Sequence, residues 1–178
     1  MKAFGAVAPL LALFLTSCLY NVFYRAPPQV AFNEAALAGY AAAGTASVTG
    51  QLICTYEGED HPGQGNPVTL LPVTAYTKEM IDRELGDGVT LVPSDPRLKK
   101  YLRFTRTDDQ GNFAFRQVPA GEYFIAGEAT SMPPGGGDFV GQWACEQVTI
   151  HKGQKLNIRV THDPMHPNGM MNHLFTVQ

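Results

Sequence analysis

The chain has 178 residues, of which 44% are hydrophobic and 16% charged, and its formal net charge at pH 7 is −3. That length supports one domain with a substantial apolar core rather than two. The mild acidity and the lack of any aromatic-basic patch exclude a nucleic-acid binder, so no nucleic-acid partner is expected.

Residues 1–17 read as a targeting signal rather than as structure. Lys2 supplies a minimal positive start, and Ala3–Leu15 is an apolar run broken only by Gly5 and Pro9, too short for a membrane span. The run ends in Leu15-Thr16-Ser17-Cys18, which resembles a bacterial lipobox. The resemblance implies that Cys18 is diacylated, with palmitate among the acyl chains, and becomes the first mature residue. Several acyl chains on one terminus anchor a protein stably where one would not. The alternative is an ordinary secretory peptide with a chance cysteine. Leu19 is not the aspartate associated with inner-membrane retention, so the resemblance favours the outer membrane, facing the periplasm.

Leu19–Phe32 contains Pro27-Pro28 and no clean period, so it is expected to be a tether; residues 18–45 as a whole form the acylated N-terminus, tether and one short helix. That helix is placed at Glu34–Ala43, capped by Asn33 and stopped by Gly44. Strands are predicted at Ser47–Tyr56, with Val48, Leu52, Cys54 and Tyr56 on one face, and at Val68–Tyr76, with a change of face or a bulge near Pro72. Glu57–Asn66 between them reads as a polar loop. Thr77–Leu85 is predicted as a helix capped by Thr77, with Met80, Ile81 and Leu85 along one stripe. Pro96–Leu102 adds a helical turn before a strand at Arg103–Thr107. The Thr77–Leu102 insertion is longer than a hairpin needs, and loops on such scaffolds carry specificity, so a protein or envelope partner is expected there.

Thr107–Glu128 reads TDDQGNFAFRQVPAGEYFIAGE: two alternating strand patterns, each preceded by turn chemistry. This stretch is similar to the signature of carboxypeptidase regulatory-like domains, a transthyretin-like β-sandwich family, as are Val68–Tyr76 and Arg103–Asp108. The resemblance covers about Ala46–Thr161. It implies an all-β fold, a seven-stranded transthyretin-like (prealbumin-like, Ig-like) β-sandwich with a short helical insertion, and it implies little about function. Strands at Gln142–Ile150 and Lys155–Thr161 complete the count, the latter with Leu156, Ile158 and Val160 inward. The sandwich domain is thus 46–161, followed by a His/Met-rich tail, 162–178.

With Cys18 lipidated, Cys54 and Cys145 remain as the one possible disulfide pair in an exported protein. A bridge closing so long a loop would contribute about 4 kcal/mol; the alternative is two buried thiols.

Catalytic constellations are mostly absent. There is no Gly-x-Ser-x-Gly elbow, no His-Glu-x-x-His, and no Gly-x-Gly-x-x-Gly strand–turn–helix unit. Met132–Asp138 is a Pro-Gly loop without the Gly-Lys-Ser/Thr ending of a phosphate loop. The His-x-His pair of intradiol dioxygenases, which use a similar sandwich, is missing too. No cofactor is called for, and the chain is expected not to be an enzyme. One cluster remains, THDPMHPNGMMNHLF, which brings His162, Met165, His166 and His173 close in sequence. Imidazole and thioether groups suit copper, and imidazole with carboxylate suits zinc. The reading is therefore a lipid-anchored, non-catalytic binding or structural module, with a metal-handling lipoprotein using this tail as the alternative.

Overall fold

Two four-stranded sheets face each other, most of their strands built from segments in which alternate residues are apolar. The computed structural model describes residues 25–56, 58–87, 89, 91–131 and 140–161. The signal sequence 1–17, Cys18, the Pro-Gly loop, and His162, Met165, His166 and His173 lie outside the described residues.

The first sheet is organised on β1 (Ala46–Tyr56), with β2 (Glu59–Pro62) and, later in the chain, β5 (Asn112–Val118) antiparallel to it and β8 (Lys155–Val160) parallel. Leu52 marks the handover between two of these neighbours. Its N–H donates to Gly111 O and its carbonyl accepts from Gly63 N, both at 2.9 Å. The second sheet has the order β4 (Arg103–Arg106), β3 (Pro67–Pro72), β6 (Gly121–Ser131), β7 (Val140–Ile150), and is antiparallel throughout. The sandwich therefore has eight strands among the described residues. The additional one is β2, inside the segment expected to be a polar loop. Its own residues show no apolar alternation; it forms because the end of β1 offers it a ladder, Ile53–Tyr56 against Glu59–Pro62.

Val48, Leu52 and Cys54 of β1, Phe113 and Phe115 of β5, Val68 and Leu70 of β3, and Tyr123 and Ile125 of β6 fill the space between the sheets. Each such side chain contributes roughly 1.5–3 kcal/mol by leaving water. The Asp108–Gly111 turn forms as its residues dictate. Asp108 Oδ1 accepts from the N–H of Gln110 and of Asn112, and Gly111 takes a φ of 75°. At the far end of β5 two residues, Arg116 and Gln117, oppose Ser47 alone, and Gln117 is driven to a φ of 54° at this bulge. Tyr123 Oη then donates to Pro119 O at 3.0 Å, and burial pushes its hydroxyl up to about 12.

A buried polar node ties the loop after β2 to β6 and to the residue that follows β4. Asn66 Nδ2 donates to Thr130 Oγ1, Asn66 Oδ1 accepts from Thr130 N, and the Asn66 N–H donates to Thr107 Oγ1. Asn66→Ala leaves the Thr130 N–H without its acceptor. The expected cost is about 2 kcal/mol, read as a lowered urea midpoint with an unchanged slope.

The insertion forms a third layer. Pro67–Pro72 is buried at every position after the first, because Val68 and Leu70 face the sandwich interior while Leu71 faces outward into a second core. That second core is covered by helix α1 (Ala75–Ile81), the wide helical turn Asp82–Gly86 and the 3-10 turn Pro96–Tyr101, which bury Tyr76, Met80, Ile81, Leu85, Leu98 and Tyr101. Two expectations change here. The strand ends at Pro72, four residues before Tyr76, and the cap of α1 is Thr74. Thr74 Oγ1 accepts from Thr77 N while Thr77 Oγ1 accepts from Thr74 N, a reciprocal capping box that makes Thr77 the third helical residue.

The expected tether is docked from residue 26 onward. Ala26 bridges Leu91 as an isolated parallel pair, and Val92 N donates to Ala26 O. The Glu79 carboxylate accepts from Gln29 N and Val30 N at 2.6 Å each and from Arg83 Nη1 at 3.0 Å. Burial opposes its charge, yet these donors outweigh it and hold the carboxyl below the usual carboxylate range. Asn33 caps a 3-10 turn, Glu34–Tyr40, as its side chain predicts, and that turn buries Leu37.

Candidate functional site

The outer face of the first sheet is the polar half of the alternation that built the core. Thr49 and Gln51 of β1 stand beside Ala114 and Asn112 of β5 and beside Asn157 and Arg159 of β8. With Thr105–Asp108 rising at one side, they line an open groove of about 840 Å³, within the size range of small-molecule sites.

The groove offers amides, hydroxyls and the guanidinium groups of Arg106 and Arg159. Gln51 Nε2 donates to Gln110 O at 2.7 Å, which fixes the amide plane and leaves its oxygen to accept. Asn157 makes no side-chain hydrogen bond among the described residues and presents a donor and an acceptor to the groove. Arg159 closes one end and pairs with Asp60, itself bonded to Thr55 Oγ1. The Thr55 hydroxyl, ahead of the Arg159 guanidinium, holds the Asp60 carboxyl below its usual range. Among the described residues Asp108 is the only carboxylate in the lining. Its oxygens accept from the Asn112 side chain and from the N–H groups of Asn112 and Gln110, which hold it ionised and committed to the turn. Among the described residues, two facing carboxylates of the kind glycoside hydrolysis uses are not present in the groove.

The residues singled out from sequence fall elsewhere. Cys54 lies between the sheets, where burial pushes its thiol up and away from nucleophilic chemistry. Cys145 stands on the outer face of β7, against the second core, because its neighbour Ala144 is the residue that points inward. The second sheet separates the two sulfurs, so the expected Cys54–Cys145 disulfide is not formed. Among the described residues no three His, Cys, Asp or Glu side chains converge to hold a metal. Much of the insertion's apolar stripe is spent on the second core. At its border, however, it forms one wall of a smaller recess of about 170 Å³, with Ile81, Leu85, Phe124, Trp143 and Cys145 within and Lys78, Asp82 and Gln147 around it.

No protein-family model matches the chain, and no curated protein matches it. Among solved structures the chain is similar to a protein from Pseudomonas aeruginosa described as a candidate carbohydrate-binding protein. The two share 27% identity over 75% of this chain and 99% of that one, with a TM-score of 0.64. It is also similar, at 15% identity and a TM-score of 0.37, to the major pilin subunit of Bacillus cereus, over 66% of this chain and 30% of that one. The architecture is a β-sandwich.

The groove residues were hidden from sequence reading for a physical reason. Thr49, Gln51, Asn112 and Asn157 each occupy an ordinary solvent-facing position in their own strand. Only the pairing of three strands far apart in sequence gathers them.

Proposed function

We propose that this chain is a non-catalytic carbohydrate-binding β-sandwich module of the transthyretin-like, carboxypeptidase regulatory-like type, held at the outer membrane by acyl chains on Cys18. What carries the reading is the groove itself: amide, hydroxyl and guanidinium groups arrayed on a rigid three-stranded platform, with its one carboxylate tied into a turn. The planar amides donate to and accept from neighbouring sugar hydroxyls in pairs, while the guanidinium groups donate only. The similarity to the Pseudomonas protein, spanning nearly all of that chain, supports the same ligand class. Rigid strands rather than loops hold the donors, so little ordering entropy is lost on binding.

Calorimetric titration of the domain with neutral oligosaccharides should give saturable binding. Thr49→Ala and Asn157→Ala, both exposed and outside the core, should each weaken it about fivefold to tenfold with no change in melting temperature. Binding that survives the double variant unchanged, or no binding to any glycan tried, sinks the assignment. Cys18→Ala should release the protein from the membrane fraction and abolish incorporation of labelled palmitate.

A further inference from the structure

We propose that the recess beside α1 binds a single neutral hexopyranose ring, stacked on Trp143. This rests on the carbohydrate reading above but concerns a second place, on the opposite side of the sandwich from the groove. The groove is on the outer face of the first sheet, whereas Trp143 and Cys145 are on the outer face of the second.

Three observations converge. First, size: about 170 Å³ is below the range that holds drug-sized ligands and suits one ring rather than a chain. Second, chemistry of the walls: Ile81, Leu85, Phe124 and the indole of Trp143 form an apolar interior, which matches the C–H face of a pyranose and excludes a fully hydrated ion. Third, the rim. Lys78 Nζ and Asp82 Oδ2 are 2.6 Å apart and both side chains are 55% exposed, so each keeps hydrogen-bonding capacity toward solvent while their charges cancel. Gln147, exposed on β7, adds an amide at the other side. A ring entering here lays its C–H face on the indole and turns its hydroxyls to Asp82, Lys78 and Gln147. Because the described residues of the rim carry no net charge, a neutral sugar fits better than a uronic acid or an amino sugar.

Trp143 is the only tryptophan of the chain. Its emission therefore reports on this recess and not on the groove. Titration of the folded domain with methyl β-galactoside or methyl β-glucoside should change the emission saturably, with a midpoint of about 1 mM for a ligand of this size. Gln147→Ala and Asp82→Ala should each raise that midpoint about fivefold while leaving the melting curve in place. Methyl β-glucuronide should bind more weakly, and cyclohexanol, a ring with one hydroxyl, should not reproduce the effect. Emission that stays constant up to about a hundredfold higher sugar concentration overturns the proposal, as does an equal response to cyclohexanol or a midpoint indifferent to both rim variants. Groove binding is read separately by calorimetry on the Thr49 and Asn157 variants. Loss of the groove reading thus shows as absent heat with oligosaccharides, and loss of the recess as silent Trp143 emission.

Discussion

Unfolding free energy should fall by about 3 kcal/mol as pH rises from 4.5 to 7, and Glu84→Met should remove most of that decline. Glu84 sits in the Asp82–Gly86 turn at 2% exposure, and neither carboxylate oxygen has a hydrogen-bond partner among the described residues. Burial raises its pKa from the ordinary 4.5 to about 7, and the nearby Leu91 backbone only tempers the effect. Between those two values the folded protein holds a proton that the unfolded chain has released, so stability falls as pH rises, and it levels off above the folded value. Asp60, Asp95 and Asp108 act in the opposite sense, because their folded-state values are depressed and their contribution is lost in acid. Stability should therefore peak in mildly acidic solution. Methionine keeps the shape of glutamate without its charge. Urea titrations of wild type and Glu84→Met at pH 5 and pH 8 check this: two curves of equal slope against pH would show that Glu84 is not the group responsible.

Gly44→Ala should cost about 3 kcal/mol, at the upper end for overpacking, because nothing around it can yield. A β-carbon at residue 44 would lie 2.0 Å from Val118 O, 2.2 Å from Val118 C and 2.3 Å from Pro119 N, all of them backbone atoms. Gly44 N also donates to Gln117 O at 2.8 Å, so the chain is held against the bulge it would have to leave. The edge-on contact of Tyr40 with Tyr123, ring centroids 5.2 Å apart, would move with it. Gly39→Ala is the control, since a β-carbon there meets nothing within 4 Å. Thermal melts should show Gly44→Ala well below wild type and Gly39→Ala level with it. Faster amide exchange across residues 33–43 in the first variant alone would place the damage at this junction.

The sandwich was legible wherever one strand carried its own alternation. Val48, Leu52 and Cys54, or Phe113 and Phe115, announce an inward face within a few residues, and Asp108 through Gly111 announce the turn from β4 into β5. What stayed hidden depends on partners remote in sequence. β2 takes its ladder from β1, and the bulge at Gln117 arises from register. The segment after Ala26 is held by its backbone N–H groups on the Glu79 carboxylate and by Val30 and Phe32 on the second core, contacts too irregularly spaced to leave a period in its side chains. Thr74 and Thr77 are both good caps, and local sequence could not choose between them. The cysteine pair fails for a related reason: alternation in β7 can be read from either residue, and only the observed register shows that Ala144 rather than Cys145 turns inward. The groove follows the same rule, for its members are polar residues of three separate strands.

The docking of the chain from Ala26 to Tyr40 has a further consequence. If Cys18 carries the proposed acyl chains, the covalent path from it to Arg25 spans at most about 25 Å, and beyond that point the polypeptide is fastened to the helical layer. A module on a long leash would sample every heading; this one, so anchored, would ride on a short mount that enters from one side. That side is the outer face of the second sheet. The helices would then lie nearest the bilayer, the two sheets would stack above them at about 10 Å intervals, and the groove with Thr49 and Asn157 would look outward from the membrane. The Trp143 recess, beside α1, would sit low and close to the lipid headgroups, so the two places would meet different neighbourhoods of the envelope.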